Sequence, residues 1–537
     1  MQALRSSAFD YEKFKDRNPT RLEGTCQWVL RHGNFRNWKD DSSSGLLWLS
    51  ADPGCGKSVL SKSFVDEDFK STDNRTTCYF FFKDDNDVQK AIAIALSALL
   101  HQLFSQHPTL LKHAMSEYAD NGDKLTKSFH TLWNILMKAA ADPRAGEIVC
   151  VLDALDECAE AGRYQFINAL DIFYQQANSQ KTRTQLKFFV TSRPYLDIER
   201  RFTELVSKFP TIRLQGEQES NAISHEIDIV IKWRVSKLAS ELKLNKSETS
   251  NLERELLGMT HRTYLWLKLI LDIVRKTTRP TSRRLKAIIS TLPSTVEEAY
   301  EAILSRIEDD ERPQARKLLH IVVAATRPLT LKEMNIALAV EDHHRSYDDL
   351  DLDDEARFEV SARNLSGLFV TVVDQRVYLI HQTAKEFLLA KRGVATGNWK
   401  HSLIPTESET LMARICVTYL SFAEFDGARD FASSVVEHRF LEYAADSWAS
   451  HYRKIQHSAI EQVFQSVARL CDPRSQRFKT WSHIYLAKNT HYIKPKFTNI
   501  LMVASYFGLE AILELALEHT ADVNSKDEHG MTSLLLA

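Results

Sequence analysis

Seven cysteines, at positions 26, 55, 78, 150, 158, 416 and 471, are spread through 537 residues with no C-x-x-C pair and no metal-ligand spacing. That pattern excludes a cysteine-based metal module and points to reduced thiols, hence a cytoplasmic protein. No apolar run approaches the ~18–20 residues needed to span a bilayer. The opening residues, Met1 to Glu12, lack the apolar core of a signal peptide. The sequons at Asn74, Asn245 and Asn364 are therefore expected to be idle. Charge of one sign is missing too: 69 basic residues balance 71 acidic ones, for a formal net charge of −2. Bulk attraction to nucleic acid or to an anionic membrane is not expected. With 44% apolar and 26% charged residues, the composition is that of a globular chain long enough for three or four domains.

What is present begins with Leu47-Trp48-Leu49-Ser50-Ala51-Asp52-Pro53-Gly54-Cys55-Gly56-Lys57-Ser58. An apolar strand enters a glycine-containing turn that ends in Gly-Lys-Ser, and a helical segment follows. This is the layout of a phosphate-binding loop. Glycines let the backbone wrap a phosphate, and successive N–H groups with the next helix's N-terminus supply partial positive charge. Pro53 to Val59 are the expected nucleotide-binding residues, with Lys57 reaching the outer phosphates and the Ser58 hydroxyl ligating Mg²⁺. The general pattern has glycine where this chain has Ala51; alanine is small enough for the loop to survive.

A second carboxylate is needed for the metal. Ile148–Leu152 is wholly apolar, as in a strand buried on both faces, and Asp153 stands at its carboxyl end. Asp153 is the expected Mg²⁺-side carboxylate. Asp156 and Glu157 lie just beyond, placed to orient or deprotonate an attacking water. A third strand, Leu186–Val190, leads into Thr191-Ser192-Arg193-Pro194, where Arg193 is placed to read a γ-phosphate. A further strand is expected at Thr77–Phe82, with helices at Val88–Phe104 and Tyr164–Gln176. Alternating strands and helices predict a parallel sheet with helices on both faces.

Taken together, Ser50 to Ser58, Val151-Leu152-Asp153-Ala154-Leu155-Asp156-Glu157-Cys158 and Phe188 to Pro194 resemble a NACHT domain. The flanks Thr25-Cys26-Gln27-Trp28 and Arg262-Thr263-Tyr264-Leu265-Trp266 resemble the fungal branch of the STAND signalling NTPases. The resemblance runs from about residue 10 to the end. It implies a nucleotide-controlled switch, with a NACHT core between an effector and a repeat sensor.

From about 218 to 310 the pattern is helical, with a capping box read at Ser294-x-x-Glu297 before Val296–Ile307 and another at Thr330-x-x-Glu333 before Met334–Val340. Phe369–Val373, an Asp374-Gln375 turn and Arg376–Ile380 form a hairpin. Helices then a hairpin predict a winged helix, the module that follows a NACHT core in the resembling family. His381 ends the hairpin. Its residue-level reading is a helix cap or a satisfied seam histidine; the resemblance implies a contact to the β-phosphate of bound diphosphate, although Gln382 replaces the aspartate that often follows. Asp348, Asp349, Asp351, Asp353, Asp354 and Glu355 form an acidic cluster. Asp354 occupies the position where a calcium loop needs glycine, so a solvated surface loop is expected. The aromatics of 440–452 are expected to be core. Asn499–Ala504 and Thr532–Ala537 stand one ankyrin period apart, with Gly508, Ala521 to Asn524 and Gly530 at its turns. The chain would stop inside the second repeat, which suggests a fragment lacking its effector.

The expected organisation is a helical lead-in (1–40), a P-loop NTPase core (41–217), a helical domain (218–310), a winged helix (311–395), a helical linker (396–490) and incomplete ankyrin repeats (491–537). The expected function is a slow ATP- or GTP-hydrolysing switch that needs Mg²⁺. ADP or GDP holds its closed state, a protein ligand binds the repeats, and it self-oligomerises on activation. The resemblance implies a role in fungal non-self recognition or programmed cell death. A fast-turnover remodelling ATPase and a non-hydrolysing ankyrin scaffold are the alternatives.

Overall fold

The computed structural model describes residues 1–537 except 8–10, 52, 85–87, 180–183, 195–210, 214–216, 260–261, 276–286, 289–290, 368, 391–397, 427–434, 456, 490–494, 519–521 and 528. Asp52 of the loop and Ala521 of the second repeat turn therefore lie outside the described residues. Two compact units are present, Met1–Ala299 and Tyr300–Ala537.

The first unit is built on five strands: β1 (Gly45–Ser50), β2 (Arg75–Phe81), β3 (Glu147–Asp153), β4 (Gln185–Ser192) and β5 (Thr211–Arg213). All pairings are parallel and the order is β2-β3-β4-β1-β5. Four strands fall where the sequence places them. β5 was not foreseen: three residues are too few to show a period. Alternate side chains go to opposite faces. Leu46, Trp48, Ile148, Cys150, Leu152, Leu186, Phe188 and Val190 join one apolar cluster with helices Ile92–Gln106, Phe129–Ala140 and Glu160–Ser179. Leu47, Leu49, Val149, Val151 and Phe189 join a second with Val29, Phe35, Trp38, Leu60 and Phe64. Covered on both faces, β1 and β3 read as nearly continuous apolar runs, while β4 carries the buried Lys187, its ammonium held by the Lys39 carbonyl and Glu147. The carboxyl ends of β1, β3 and β4 are thereby brought to one edge.

In the second unit, Thr330 caps Leu331–Ala339 as expected: its hydroxyl accepts from the Glu333 N–H (3.2 Å) and the Glu333 carboxylate accepts from the Thr330 N–H (2.7 Å). β6 (Val370–Val373) and β7 (Arg376–Leu379) form the antiparallel hairpin. Asp374 and Gln375 both have positive φ, 50° and 62°, the geometry of a two-residue turn matched to strand twist. The other capping box needs correction. Thr295, not Ser294, caps the helix Val296–Leu304, accepting from the Glu298 N–H (3.1 Å), while the Glu298 carboxylate accepts from the Ser294 N–H and hydroxyl. Two adjacent hydroxyl residues before two adjacent glutamates offer two registers that spacing alone cannot separate.

Phe440, Tyr443, Trp448 and Tyr452 are buried core, as expected. The acidic run is exposed apart from the half-buried Asp353. No cluster of three or more His, Cys, Asp or Glu that could hold a metal is present among the described residues. Near the end, Asn499 caps Ile500–Phe507, Gly508 turns the chain at φ 62°, and Glu510–Glu518 packs back on the first helix. Thr532, which follows Asn499 by one ankyrin period, again precedes a helix, Ser533–Leu536, here without a side-chain cap.

Candidate functional site

The loop after β1 is half-buried from Pro53 to Val59. Gly54 and Gly56 adopt φ of 77° and 85°, a region that only glycine enters without cost. Each is also hemmed in. A Cβ on Gly54 would lie 2.8 Å from Leu265 Cβ, and one on Gly56 would lie 2.9 Å from Tyr264 Cε2. The Tyr264 N–H donates to the Gly54 carbonyl (3.0 Å). The two motifs flanking the sheet in sequence thus meet at the loop. Cys26, Trp28, Leu49, Leu60 and Tyr264 line an apolar crevice beside Gly56 and Lys57. The Glu226 carboxylate closes it by accepting from the N–H groups of Cys26 (2.5 Å), Gln27 (2.7 Å) and Trp28 (3.3 Å).

The helix Lys57–Ser63 opens directly from Gly56 and runs into a π-helical turn, Phe64–Asp68. The Lys57 ammonium donates to the Ala51 carbonyl at 2.6 Å. Burial lowers its pKa, opposed by the nearby Asp156. Ala51 is 1% exposed and its N–H donates to the Ser192 carbonyl, which ties the loop's first residue to β4.

Asp153, 2% exposed, holds the end of β3. Its Oδ1 accepts from the Ser61 hydroxyl and the Thr191 hydroxyl, each at 2.7 Å. Ser61 sits one turn beyond Ser58, on the same side of the helix. The next residue, Ala154, takes φ 58° and donates its N–H to Thr191 Oγ1 at 2.9 Å. That left-handed step starts a tight turn, Leu155–Glu157, which sends the two following carboxylates different ways. Asp156 crosses to the end of β4, where its oxygens meet the Arg193 N–H (3.1 Å) and Arg193 Nε (3.2 Å). Glu157 turns towards β2, 3.5 Å from the Lys83 ammonium, and accepts from the Asp84 N–H at 3.4 Å. Burial raises the pKa of Asp156, countered by Arg193 and Lys57. Burial pushes Glu157 up to about 7, countered by Lys83 and reinforced by Asp156.

Asp153, Asp156, Glu157 and Arg193 therefore share one edge of the sheet, together with the strand that leads into the loop. His381 belongs to the second unit. There it caps Gln382–Leu388, its Nδ1 accepting from the Thr383 N–H at 3.2 Å, which is the residue-level reading of that histidine. Ser61, Thr191 and Glu226 were missed. Ser61 follows Ser58 by three positions and Thr191 precedes Arg193 by two, so spacing could have flagged both. Glu226 lies far along the chain from Cys26, Gln27 and Trp28 and carried no local signal.

The donor set fits a nucleotide and Mg²⁺: a glycine turn that a Cβ would block, a lysine and serine opening a helix, and one buried carboxylate. Mg²⁺ keeps waters and takes phosphate oxygens, so it needs no cluster of protein carboxylates. Ser58 and Asp153 are the residues that would hold it.

Comparison with known proteins agrees on the class. Residues 24–193 match the family model described as nephrocystin 3, N-terminal; 223–292 match a domain of unknown function; 303–397 match the winged-helix domain of GPI inositol-deacylase. A NACHT-like nucleotide-binding core precedes a winged helix. Among named relatives, the vegetative incompatibility protein HET-E-1 of Podospora anserina is 28% identical over 373 residues, 68% of this chain and 26% of that protein. Azaphilone pigments biosynthesis cluster protein L of Monascus ruber is 24% identical over 269 residues, 47% of this chain and 56% of that protein. The matched region thus spans about a quarter and about half of the two relatives. These matches support a fungal NACHT-type protein. The Aeropyrum pernix ORC2 protein aligns at 12% identity and a TM-score of 0.30, covering 68% of this chain and 93% of that one; at that score the likeness carries no argument.

Proposed function

We propose that this chain is a nucleotide-controlled signalling switch that binds ATP or GTP with Mg²⁺ and hydrolyses it slowly. The observation that supports it most is the convergence at one sheet edge of Asp153, Asp156 and Arg193, all close enough to Lys57 of the Gly54–Ser58 loop to act on its charge. Lys57 holds the outer phosphates and Ser58 and Asp153 hold the metal. Asp156 or Glu157 handles the water, and Arg193 reads the γ-phosphate. Mg²⁺, when bound, supplies charge neutralisation across the phosphates.

In this reading diphosphate favours a closed form latched by His381, and exchange for triphosphate favours self-association. The ankyrin reading of 491–537 is supported by helices that start after Asn499 and Thr532, one repeat period apart; there the repeats take a protein ligand. A cytoplasmic role in fungal non-self recognition or cell death rests on likeness to HET-E-1. No helix among the described residues is long and apolar enough to cross a membrane.

The test is to purify the chain and identify by chromatography what nucleotide comes with it. A bound diphosphate is the expected result. A site that stays empty and takes up neither ATP nor GTP would sink the proposal. Many turnovers per second without a partner would favour an ordinary P-loop enzyme instead.

A further inference from the structure

We propose that His451 is a proton-sensitive clasp: neutral, it ties a connection in the winged-helix region to the helices that follow, and the proton it gains in acid releases that connection. The inference does not depend on the nucleotide reading.

The His451 side chain is 0% exposed, and both of its ring nitrogens are engaged. Nδ1 lies 2.6 Å from the carboxylate of Glu409, on the helix Pro405–Leu420. Nε2 lies 2.9 Å from the hydroxyl of Tyr443, eight residues earlier on the same helix, Leu441–Tyr452. That hydroxyl accepts from the Thr326 N–H at 3.1 Å. These partners fix the tautomer. An ionised carboxylate only accepts, so Nδ1 carries a proton. Among the described residues the Tyr443 proton has no acceptor but Nε2, so Nε2 is bare. Donation thus runs from Thr326 to Tyr443, and from neutral His451 to Glu409.

Thr326 lies in the connection between the helices Arg312–Ala324 and Leu331–Ala339. The connection is fixed to Leu441–Tyr452 by the Thr326 N–H, by the Thr326 and Ser447 hydroxyls at 2.8 Å, and by the Arg327 guanidinium, 5.0 Å from the Tyr443 ring centre. Two of these ties pass through the Tyr443 side chain. Arg327 also donates twice to Glu333 (2.9 and 2.6 Å), the carboxylate that completes the Thr330 cap. A proton on Nε2 breaks this pattern. The new N–H points at the Tyr443 oxygen, and the Tyr443 proton is left with no acceptor in a site closed to water.

The charged and titratable groups facing His451 are Glu409, Lys454, Tyr443 and Cys416, with Arg327 and its partner Glu333 beyond the Tyr443 ring. Lys488, on the neighbouring helix Gln476–Asn489, pairs with Glu442 and Asp446. Burial raises the pKa of Tyr443 and Cys416, so both stay neutral. Against its own burial, Glu409 is held below the usual carboxylate range by His451 and Lys454, so it stays ionised. Burial lowers the pKa of His451, opposed by Glu409. The unfolded histidine takes its proton as pH falls below 6.5 while the folded one resists. The clasp's contribution is therefore full above pH 6.5 and is lost as pH falls below it.

Hydrogen exchange of the whole chain, read by mass spectrometry at pH 7.5 and 5.5 and corrected for the intrinsic effect of pH, tests the clasp. Protection of 325–330 and of 441–452 should fall by up to about tenfold at pH 5.5, the factor that one proton contributes a pH unit below histidine's ordinary value. His451→Gln takes no proton in this range and should show no such fall. Tyr443→Phe should leave 325–330 poorly protected at both pH values. Strands β3 and β4 of the first unit serve as the control and should respond alike in all three chains. Wild type that keeps its protection at pH 5.5 would overturn the proposal, as would a fall that persists in His451→Gln. If His451→Gln does not fold, Tyr443→Phe decides: wild-type protection of 325–330 at pH 7.5, followed by the wild-type fall, would equally overturn it.

Discussion

Two neighbouring carboxylates at the end of β3 show how one turn assigns different chemistry. Asp156 is paired with a buried arginine, and Glu157 meets a lysine that is half exposed. The folded Glu157 carboxyl titrates near 7 against an ordinary 4.5. Between those values the folded chain keeps a proton that the unfolded chain has released. The stability linked to this group is therefore present below pH 4.5 and is lost as pH rises to 7. Thermal melts of Glu157→Gln at pH 5 and pH 8 should differ less than those of wild type. In the reading where Glu157 handles the water, turnover uses its ionised form and should climb about tenfold per pH unit below 7 and level off above it. Burial raises this value first; Lys83 and Arg193 lower it and Asp156 and Asp84 raise it, so removing the Lys83 charge should move the inflection upward. At the loop, Lys57→Ala should weaken nucleotide binding by about 10- to 150-fold, read by fluorescent nucleotide titration, because a charge-assisted contact to phosphate contributes about 1.5–3 kcal/mol.

Among the elements, the central strands were legible because burial on both faces leaves an unbroken apolar run, as in Ile148–Leu152. The hairpin was legible because Val370–Val373 and Arg376–Leu379 flank a two-residue polar turn. Neither residue of that turn is glycine, although both have positive φ. Gln375→Gly relieves that strain while leaving the residue 375 carbonyl to accept from the Leu331 N–H. The relieved strain, about 1–2 kcal/mol, outweighs the roughly 0.4–1 kcal/mol that glycine's freedom gives the unfolded chain, so the second unit should gain up to about 1 kcal/mol, read by thermal melt. What stayed illegible was long-range pairing. Nothing near Glu226 announces that it caps the chain at Cys26–Trp28, and nothing near Tyr264 announces that it covers Gly56. The same packing makes a prediction. Gly56→Ala meets the Tyr264 ring, so Tyr264→Ala should recover part of the lost nucleotide binding, but only part, because φ 85° still disfavours alanine.

Across the whole molecule, the family matches at 24–193 and 303–397 fall within the two compact units, and the carboxylates, arginine and loop of the candidate site all lie in the first. The central claim is that the nucleotide held there changes how the chain associates. Light scattering during size exclusion measures this most directly, with the chain loaded with Mg²⁺ and either diphosphate or a non-hydrolysable triphosphate, and Lys57→Ala as control. The account predicts a monomer with diphosphate, a larger species with triphosphate, and no response from the variant. A wild-type chain shown to hold triphosphate yet unchanged in mass would contradict it.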